Sequence, residues 1–267
     1  MAIVGMSIKP YSLDYELTKF ANSRNIKTLC IQDFWGNIGN YDDKVFPKYL
    51  FVADMYANKL TQQRIKSKII TSGLPKYLVK KPIFQFSNKV KEENLLILGQ
   101  PSYVSATNTY LKFIDKFDYS NLDNIYYLPH PAEKKNILFN KKIKILDRKN
   151  WPRILSSKTI VISPYSTLSY DILFSALFSN KSINLKLVFL VFKPEMYNYT
   201  KKIIGDSKLP LTNYRNIFQL LNYKNFGITF HNIIKKKYHV GLQLKKYFKE
   251  THKEKIFLTN LISIVRS

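Results

Sequence analysis

Short apolar runs alternate along this chain with segments whose apolar residues recur every three or four positions. The segments IKTLCIQDF, KIITSGLP, NLLILGQP and TIVISP are rich in β-branched and apolar residues and are typical of strands. The segment YLFVADMYANKLTQQRI predicts a short strand followed by a helix. The spacing of Leu13, Leu17 and Phe20, with Ala21 on the same side, predicts a helix over residues 13–25. Such an alternation predicts an α/β fold with mostly parallel sheets and helices on their faces.

The alternation is interrupted once. The stretch YLVKKPIFQFSNKVKEEN has mixed charge and no clear period, and it predicts a linker at roughly residues 80–94. We therefore expect two Rossmann-like lobes, a short N-terminal one over residues 1–90 and a C-terminal one over residues 91–267, with a cleft between them. In the second lobe NIYYLP and INLKLVFLVF are predicted strands, and ATNTYLKFIDKFD, STLSYDILFSALF, YRNIFQLLNY and EKIFLTNLISIV are predicted helices.

The charge of the chain is strongly positive. Its 43 Lys and Arg against 18 Asp and Glu give a formal net charge of +25. Three explanations compete: a compositional bias, attraction to an anionic inner-membrane surface, and nucleic-acid binding. We rank nucleic acid last, because the lysines are spread along the chain and arginines, which read bases and grip phosphates, are few.

Cysteine usage and hydropathy favour a cytoplasmic protein, either free or peripheral at the inner membrane. Cys30 is the only cysteine, so an intramolecular disulfide and thiolate metal sites are excluded. We expect no metal and no cofactor. The first residues do not have the pattern of a signal peptide, and INLKLVFLVF is too short to span a bilayer.

Polar clusters follow the predicted strands where function is normally placed on this architecture. They are Asp33–Asn37, Ser72–Pro75, Gly99–Ser102, PHPAE and SPYSTLSYD. In PHPAE, His130 is held between two prolines, which fix the backbone and remove donors. The imidazole could donate to a phosphate oxygen or protonate a leaving group, or it could simply cap a turn.

The cluster SPYSTLSYD places Ser163, Ser166 and Thr167 between a strand and a helix. A helix start with free amides and hydroxyls can bind phosphate, and the same residues can be plain caps. Asp33 could act as a general base or cap a turn, and Trp35 could stack on a sugar or fill space. Asp54 has the pattern of a surface or capping residue.

Taken together, ENLLILGQPSY, NTYLKFIDKF, NIYYLPHPAE and SPYSTLSYDIL resemble the donor-binding half of bacterial surface-polysaccharide glycosyltransferases with a GT-B fold. The likeness is greatest to sialyltransferase-like enzymes of capsule and lipooligosaccharide synthesis. It implies that the HP histidine and the serine loop contact the phosphate of a nucleotide donor. The residues implied are His130, Pro131, Glu133 and Gln100, with Ser163, Ser166 and Thr167.

The N-terminal part resembles the acceptor-side lobe of surface-carbohydrate biosynthesis proteins. Its DFWGN and TSGLP segments match an Asp-x-Trp-x-Asn and a TG-P pattern, which assigns Trp35, Asn37 and Gly73 to the acceptor side. The acidic-acidic-Gly motif that supplies the base in sialyltransferases is absent, and DFWGN stands in its place, so Asp33 is the candidate base.

The resemblance implies a metal-independent glycosyltransferase that moves a sugar, such as a CMP-linked acidic sugar, to a glycan or lipid-linked acceptor. Two alternatives stay open. One is a sugar-nucleotide epimerase or polyol-phosphate transferase on the same fold. The other is a catalytically inactive protein that binds glycan or a partner.

Overall fold

In the computed structural model the chain is an α/β protein with two sheets, and every described strand pair is parallel. The structure describes residues 1–6, 12–42, 44–87, 93–101, 106–120, 122, 124–133, 139, 142–236 and 241–266. The strands are β1 Ala2–Val4, β2 Thr28–Ile31, β3 Tyr49–Val52, β4 Lys68–Thr71, β5 Asn94–Leu98, β6 Asn124–Leu128, β7 Lys144–Ile145, β8 Lys158–Ser163, β9 Asn184–Leu190 and β10 Ile217–Leu220. The helices are α1 Leu13–Ser23, α2 Met55–Gln62, α3 Ala106–Lys116, α4 Thr167–Phe178, α5 Glu195–Ile204, α6 Phe226–Lys235, α7 Leu242–Thr251 and α8 Glu254–Arg266.

The chain packs as two compact units. The first comprises Met1–Lys80, Thr200–Ser207 and Lys246–Ser267, and the second comprises Lys81–Tyr199 and Lys208–Lys245. The predicted boundary near residue 90 divides the chain into one N-terminal and one C-terminal lobe. In the structure the C-terminal helix belongs instead to the same unit as the N-terminal residues. The roles predicted for the two lobes stay predictions.

The sheet of the first unit has the order β1-β2-β3-β4. One of its faces is covered by α8, whose Phe257 and Ile264 pack with Leu29, Tyr49 and Phe51. The rings of Phe51 and Phe257 meet edge to face, with centroids 5.3 Å apart. The last helix of the chain is therefore part of the core of this unit.

Helix α1 forms where the apolar spacing predicts it, but its large apolar residues do not face the core. Leu13, Leu17 and Phe20 are 74%, 44% and 53% exposed, whereas the buried residues are Thr18 and Ala21. The Thr18 hydroxyl donates to the carbonyl of Asp14, so the polar group is satisfied within the helix. The spacing predicted the helix correctly, but it predicted the wrong side of the helix to be buried.

The sheet of the second unit has the order β10-β9-β8-β5-β6-β7. Counted from β5, this is 3-2-1-4-5-6, the strand order of doubly wound nucleotide-binding sheets. The direction of winding reverses between β5 and β8, which pair directly. In such sheets ligands bind outside the carboxyl ends of the strands at this reversal.

Two sequence predictions about local structure need correction. The segment YRNIFQLLNY was predicted to be helical, but Ile217–Leu220 is an edge strand paired with β9. The predicted linker is not a free connection over its described part. The N–H groups of Ile83 and Phe84 donate to the Ser175 hydroxyl, and Phe86 is buried. Residues 88–92 of the predicted linker lie outside the described residues.

Within the described part of the chain, no helix combines the length and the apolar character that crossing a membrane requires.

Candidate functional site

A cavity of about 330 Å³ opens in the second unit at the carboxyl ends of its central strands. Its wall combines residues that follow β5, β6 and β8, together with a segment after β7. The lining residues are Leu98, Gly99, Leu128, Pro129, His130, Pro131, Arg148, Trp151, Ser166, Thr167 and Leu168. The cavity therefore lies where the winding of the sheet reverses, and His130, Ser166 and Thr167 meet there.

Helix α4 presents its N-terminus to this cavity. Ser166 is its N-cap, and the Ser166 hydroxyl accepts from the N–H of Leu168 over 3.3 Å. Thr167, the first helical residue, is exposed. Because the first amides of a helix carry partial positive charge, this end favours an anionic group. Capping and phosphate binding, which the sequence left as alternatives, are compatible here, because the cap itself lines the cavity.

The imidazole of His130 is fixed by its own loop. The N–H of Ala132 donates to Nδ1 over 3.0 Å, so in the neutral ring the proton lies on Nε2. Burial, together with the nearby Arg148 charge, lowers the pKa of His130 below its ordinary value. At neutral pH the ring is therefore uncharged, and Nε2–H is the group that can donate to a bound oxygen.

Glu133 holds the loop that carries His130. Its Oε2 accepts from the His130 backbone N–H over 2.8 Å, and its other oxygen accepts from the Tyr127 hydroxyl. Burial raises the pKa of Glu133, opposed by these hydrogen bonds. A Cβ on Gly99 would lie 2.7 Å from the His130 nitrogen, so only glycine fits beside this loop. Glu133 is absent from the cavity lining, and its carboxylate positions His130.

Arg148 is the charged cavity residue that the sequence predictions did not include. Its Nη2 donates to the Pro129 carbonyl over 2.7 Å, which draws the guanidinium toward the His130 loop. It brings a full positive charge to a cavity whose other groups that favour an anion are an uncharged imidazole donor and a helix N-terminus. The signal was its place three residues after β7, but a two-residue strand has no pattern that a sequence can show.

The two remaining candidates for the donor site are Gln100 and Ser163. Nε2 of Gln100 donates to the carbonyls of Gly99 and Tyr165, which ties the loops after β5 and β8 together. Ser163 ends β8 and is 1% exposed, and its hydroxyl has no hydrogen-bond partner among the described residues. Neither lines the cavity. Ser102 of the predicted Gly99–Ser102 cluster lies outside the described residues.

In the first unit, Asp33 follows β2, and part of the residue is open to solvent although the surrounding protein crowds its carboxylate. The Asn37 amide donates to its Oδ1 over 2.8 Å, and the Asn37 oxygen accepts from the Gly39 N–H. The surrounding protein desolvates the carboxylate and raises the pKa of Asp33, against the hydrogen bond from Asn37. A carboxylate with a raised pKa is a stronger base, which suits the predicted role without establishing it.

Trp35 and Gly73, also predicted for the acceptor side, are packing residues. Trp35 is 1% exposed, and its Nε1 donates to Asp54 over 2.8 Å, so the ring fills space instead of offering a face to a sugar. Asp54 also caps α2 by accepting from Ala57, as a capping residue should. Gly73 has a φ of +80°, and a Cβ there would lie 2.8 Å from the Cα of His252.

A larger cavity of about 380 Å³ lies elsewhere in the second unit, between the end of α3 and α6. Phe117, Leu122, Ile228 and Phe230 make its lining largely apolar. His231 also lines it, and among the described residues no Lys or Arg does. Since convergent polar and charged groups mark a functional site more clearly than volume, the cavity at the strand ends is the candidate.

Comparison with known proteins adds no assignment, because neither a scan against protein-family models nor a search of curated proteins gave a match for this chain.

Proposed function

We propose that this protein is a glycosyltransferase that binds a nucleotide-sugar donor in the cavity at the ends of β5, β6 and β8. The observation that carries the proposal is the convergence of His130, Arg148 and the N-terminus of α4 on that one cavity. Each favours an anionic group, and the strand order places them where nucleotides bind in sheets of this kind. No metal is needed in this account, because the protein supplies the positive groups.

Each group has a defined part in the transfer. When the bond between the sugar and the phosphate breaks, negative charge accumulates on the departing phosphate. Nε2–H of His130 donates to a phosphate oxygen, and Arg148 neutralises the charge. The amides and hydroxyls at Ser166 and Thr167 complete the phosphate site. Fixed donors aimed at developing charge are usually the largest catalytic contribution.

In this proposal Asp33 accepts the proton of the acceptor hydroxyl as the new glycosidic bond forms. Its raised pKa and its partial access to solvent support that assignment. The resemblance of the motifs narrows the proposal to a GT-B enzyme, with a CMP-linked acidic sugar as donor and a bacterial surface glycan or its lipid-linked precursor as acceptor. Asn37 then serves the acceptor side by holding the Asp33 carboxylate.

The test begins with a thermal-shift screen against CMP, UDP and CDP, because a ligand that binds the native state raises its melting temperature. A transfer and donor-hydrolysis assay then compares the wild type with His130→Ala. We expect turnover to fall about 100-fold or more. His231→Ala, which changes an exposed histidine outside this cavity, is the matched control.

Unchanged turnover in an active His130→Ala preparation would remove the assigned role. Nucleotide binding without any turnover in the wild type would instead identify an inactive glycan- or partner-binding protein. A product with an epimerised sugar or a transferred polyol phosphate would assign a different reaction to the same cavity.

A further inference from the structure

The C-terminal helix α8 is apolar over a wider arc than the core of the first unit covers. Phe257 and Ile264 face the sheet and are 8% and 4% exposed. On the adjacent flank, Leu258, Ile262 and Val265 are 44%, 47% and 58% exposed. Their spacing of four and then three residues places them in one row along the helix. We call this row the outer flank of α8.

Two cations border the outer flank. Lys255 lies three residues before Leu258, and Arg266 lies four residues after Ile262, so both share the side of the helix that carries the row. Both are exposed. The single acidic residue of α8, Glu254, lies in its first turn. Because Glu254 lies four residues before Leu258, it shares the side of the row as well, so the flank is an apolar strip with a cation at each end and one carboxylate in its first turn.

We propose that the outer flank of α8 docks on a membrane surface that contains anionic lipid. Apolar side chains enter the boundary between headgroups and acyl chains, while lysine and arginine keep their charges at the headgroups. The net charge of +25 attracts the whole protein to such a surface. This inference goes beyond the proposed activity and does not depend on it.

A second copy of the chain fits the outer flank less well. A molecule with a net charge of +25 repels its own copy, whereas an anionic surface attracts it. Three half-exposed side chains also provide far less than the roughly 800 Å² per partner of a stable protein interface. Charge and size therefore both favour lipid.

Helix α1 provides an internal comparison. Its exposed row of Leu13, Leu17 and Phe20 has the same spacing and similar exposure. However, its first turn carries two carboxylates, Asp14 and Glu16, where α8 has one. Its row is bordered by one cation, Arg24 over the Phe20 ring, where the outer flank of α8 has two. An anionic surface repels carboxylates, so the α1 row should contribute little. The two rows separate a specific docking flank from a general effect of exposed apolar residues.

The experiment is co-sedimentation of the full chain with two kinds of vesicle, pure phosphatidylcholine and phosphatidylcholine with phosphatidylglycerol. Binding should require the anionic lipid and weaken as salt rises. The variant Leu258→Gln/Ile262→Gln/Val265→Gln should bind the anionic vesicles with an affinity reduced about tenfold or more. The variant Lys255→Gln/Arg266→Gln should lose a similar factor, because each cation near the surface adds to the attraction. The control Leu13→Gln/Leu17→Gln/Phe20→Gln should bind like the wild type.

Circular dichroism melting should show that each variant is folded, because all the changes are at exposed positions. The proposal is overturned if the wild type does not bind anionic vesicles, or if the α8 variants bind as well as the wild type. It is equally overturned if the α1 control alone loses binding, or if the α8 changes alter the oligomeric state instead of lipid binding. Vesicle binding needs no turnover, so its outcome is independent of the transfer assay.

Discussion

The backbone N–H of His130 donates to Oε2 of Glu133 over 2.8 Å, and the Tyr127 hydroxyl donates to the second carboxylate oxygen. The carboxylate thus fixes the loop that carries the imidazole. We expect Glu133→Ala to weaken CMP binding about tenfold, because it leaves a half-buried N–H and hydroxyl without their acceptor. Glu133→Gln should bind almost as the wild type does, since its amide oxygen can accept from His130 and its NH₂ can donate to Tyr127. Calorimetric titration with CMP checks both.

If Glu133→Gln is as damaging as Glu133→Ala, the charge of Glu133 matters and not its hydrogen bonds. Melting of both variants separates a local loosening of the loop from a loss of the fold.

Arg148 should act on both phosphate binding and the His130 ring. Arg148→Ala should weaken CMP binding about tenfold, a modest figure because the guanidinium is exposed. It should also raise the pKa of His130 toward its ordinary value, because the Arg148 charge disfavours the imidazolium. Calorimetry measures the first effect, and titration of the imidazole by NMR measures the second. Arg153→Ala removes an exposed arginine outside the cavity lining, and both quantities should then be unchanged.

The buried His252 should make the stability of the protein fall in acid. It is 0% exposed, packs against the rings of Tyr77 and Phe248, and neither of its ring nitrogens has a hydrogen-bond partner among the described residues. Burial, together with the charges of Lys80 and Lys76, lowers the pKa of His252 to about 3.

The folded pKa of His252 lies below its unfolded value, so between the two the unfolded chain binds more protons. The stability contributed by the neutral ring is complete above the unfolded pKa of about 6.5, and it is lost as the pH falls, by up to about 1.4 kcal/mol per unit. His252→Phe should flatten this part of the pH profile, which urea unfolding at several pH values measures. His231→Phe is the control at an exposed site, and the assignment fails if both variants leave the same slope.

Lys186 ties a buried strand to the end of a helix. It is 1% exposed, and its Nζ donates to Glu93 over 3.0 Å and to the Ile234 carbonyl over 2.7 Å. Lys186→Met fits the volume but leaves both acceptors unpaired, and we expect a loss of about 2 kcal/mol in the free energy of unfolding. Glu93→Gln should lose less, because Glu93 is partly exposed. If the loss of stability in the double variant equals the sum of the losses in the two single variants, Lys186 and Glu93 do not stabilise each other.

The sequence predicted the strands that are buried on both faces, because each is a short, uninterrupted run of apolar residues, whereas helices are longer and alternate apolar with polar residues. NLLIL and TIVIS are such runs, and both are central strands. It failed at β10, an edge strand in which Ile217 is buried but the other three residues are only partly buried. There Ile217, Leu220 and Leu221 are spaced as on a helix, and the strand is formed by its pairing with β9, which the local pattern does not encode.

The candidate site was only partly predictable for a related reason. His130 and Ser166 follow strands that are easy to recognise, so their meeting at one edge of a sheet could be anticipated. Arg148 lies three residues after a two-residue edge strand, which the sequence does not reveal. The role of Trp35 was ambiguous because no local pattern specifies its hydrogen bond to Asp54, nineteen residues away.

The packing of Phe257 on Phe51 has a consequence for synthesis of the chain. The four strands of the first sheet leave the ribosome well before α8, the helix that covers one of their faces, because α8 lies far downstream in the sequence. Until α8 has been translated, Leu29, Tyr49 and Phe51 lack the apolar side chains that pack on them. A nascent chain of this protein therefore depends on protection of that face until α8 emerges.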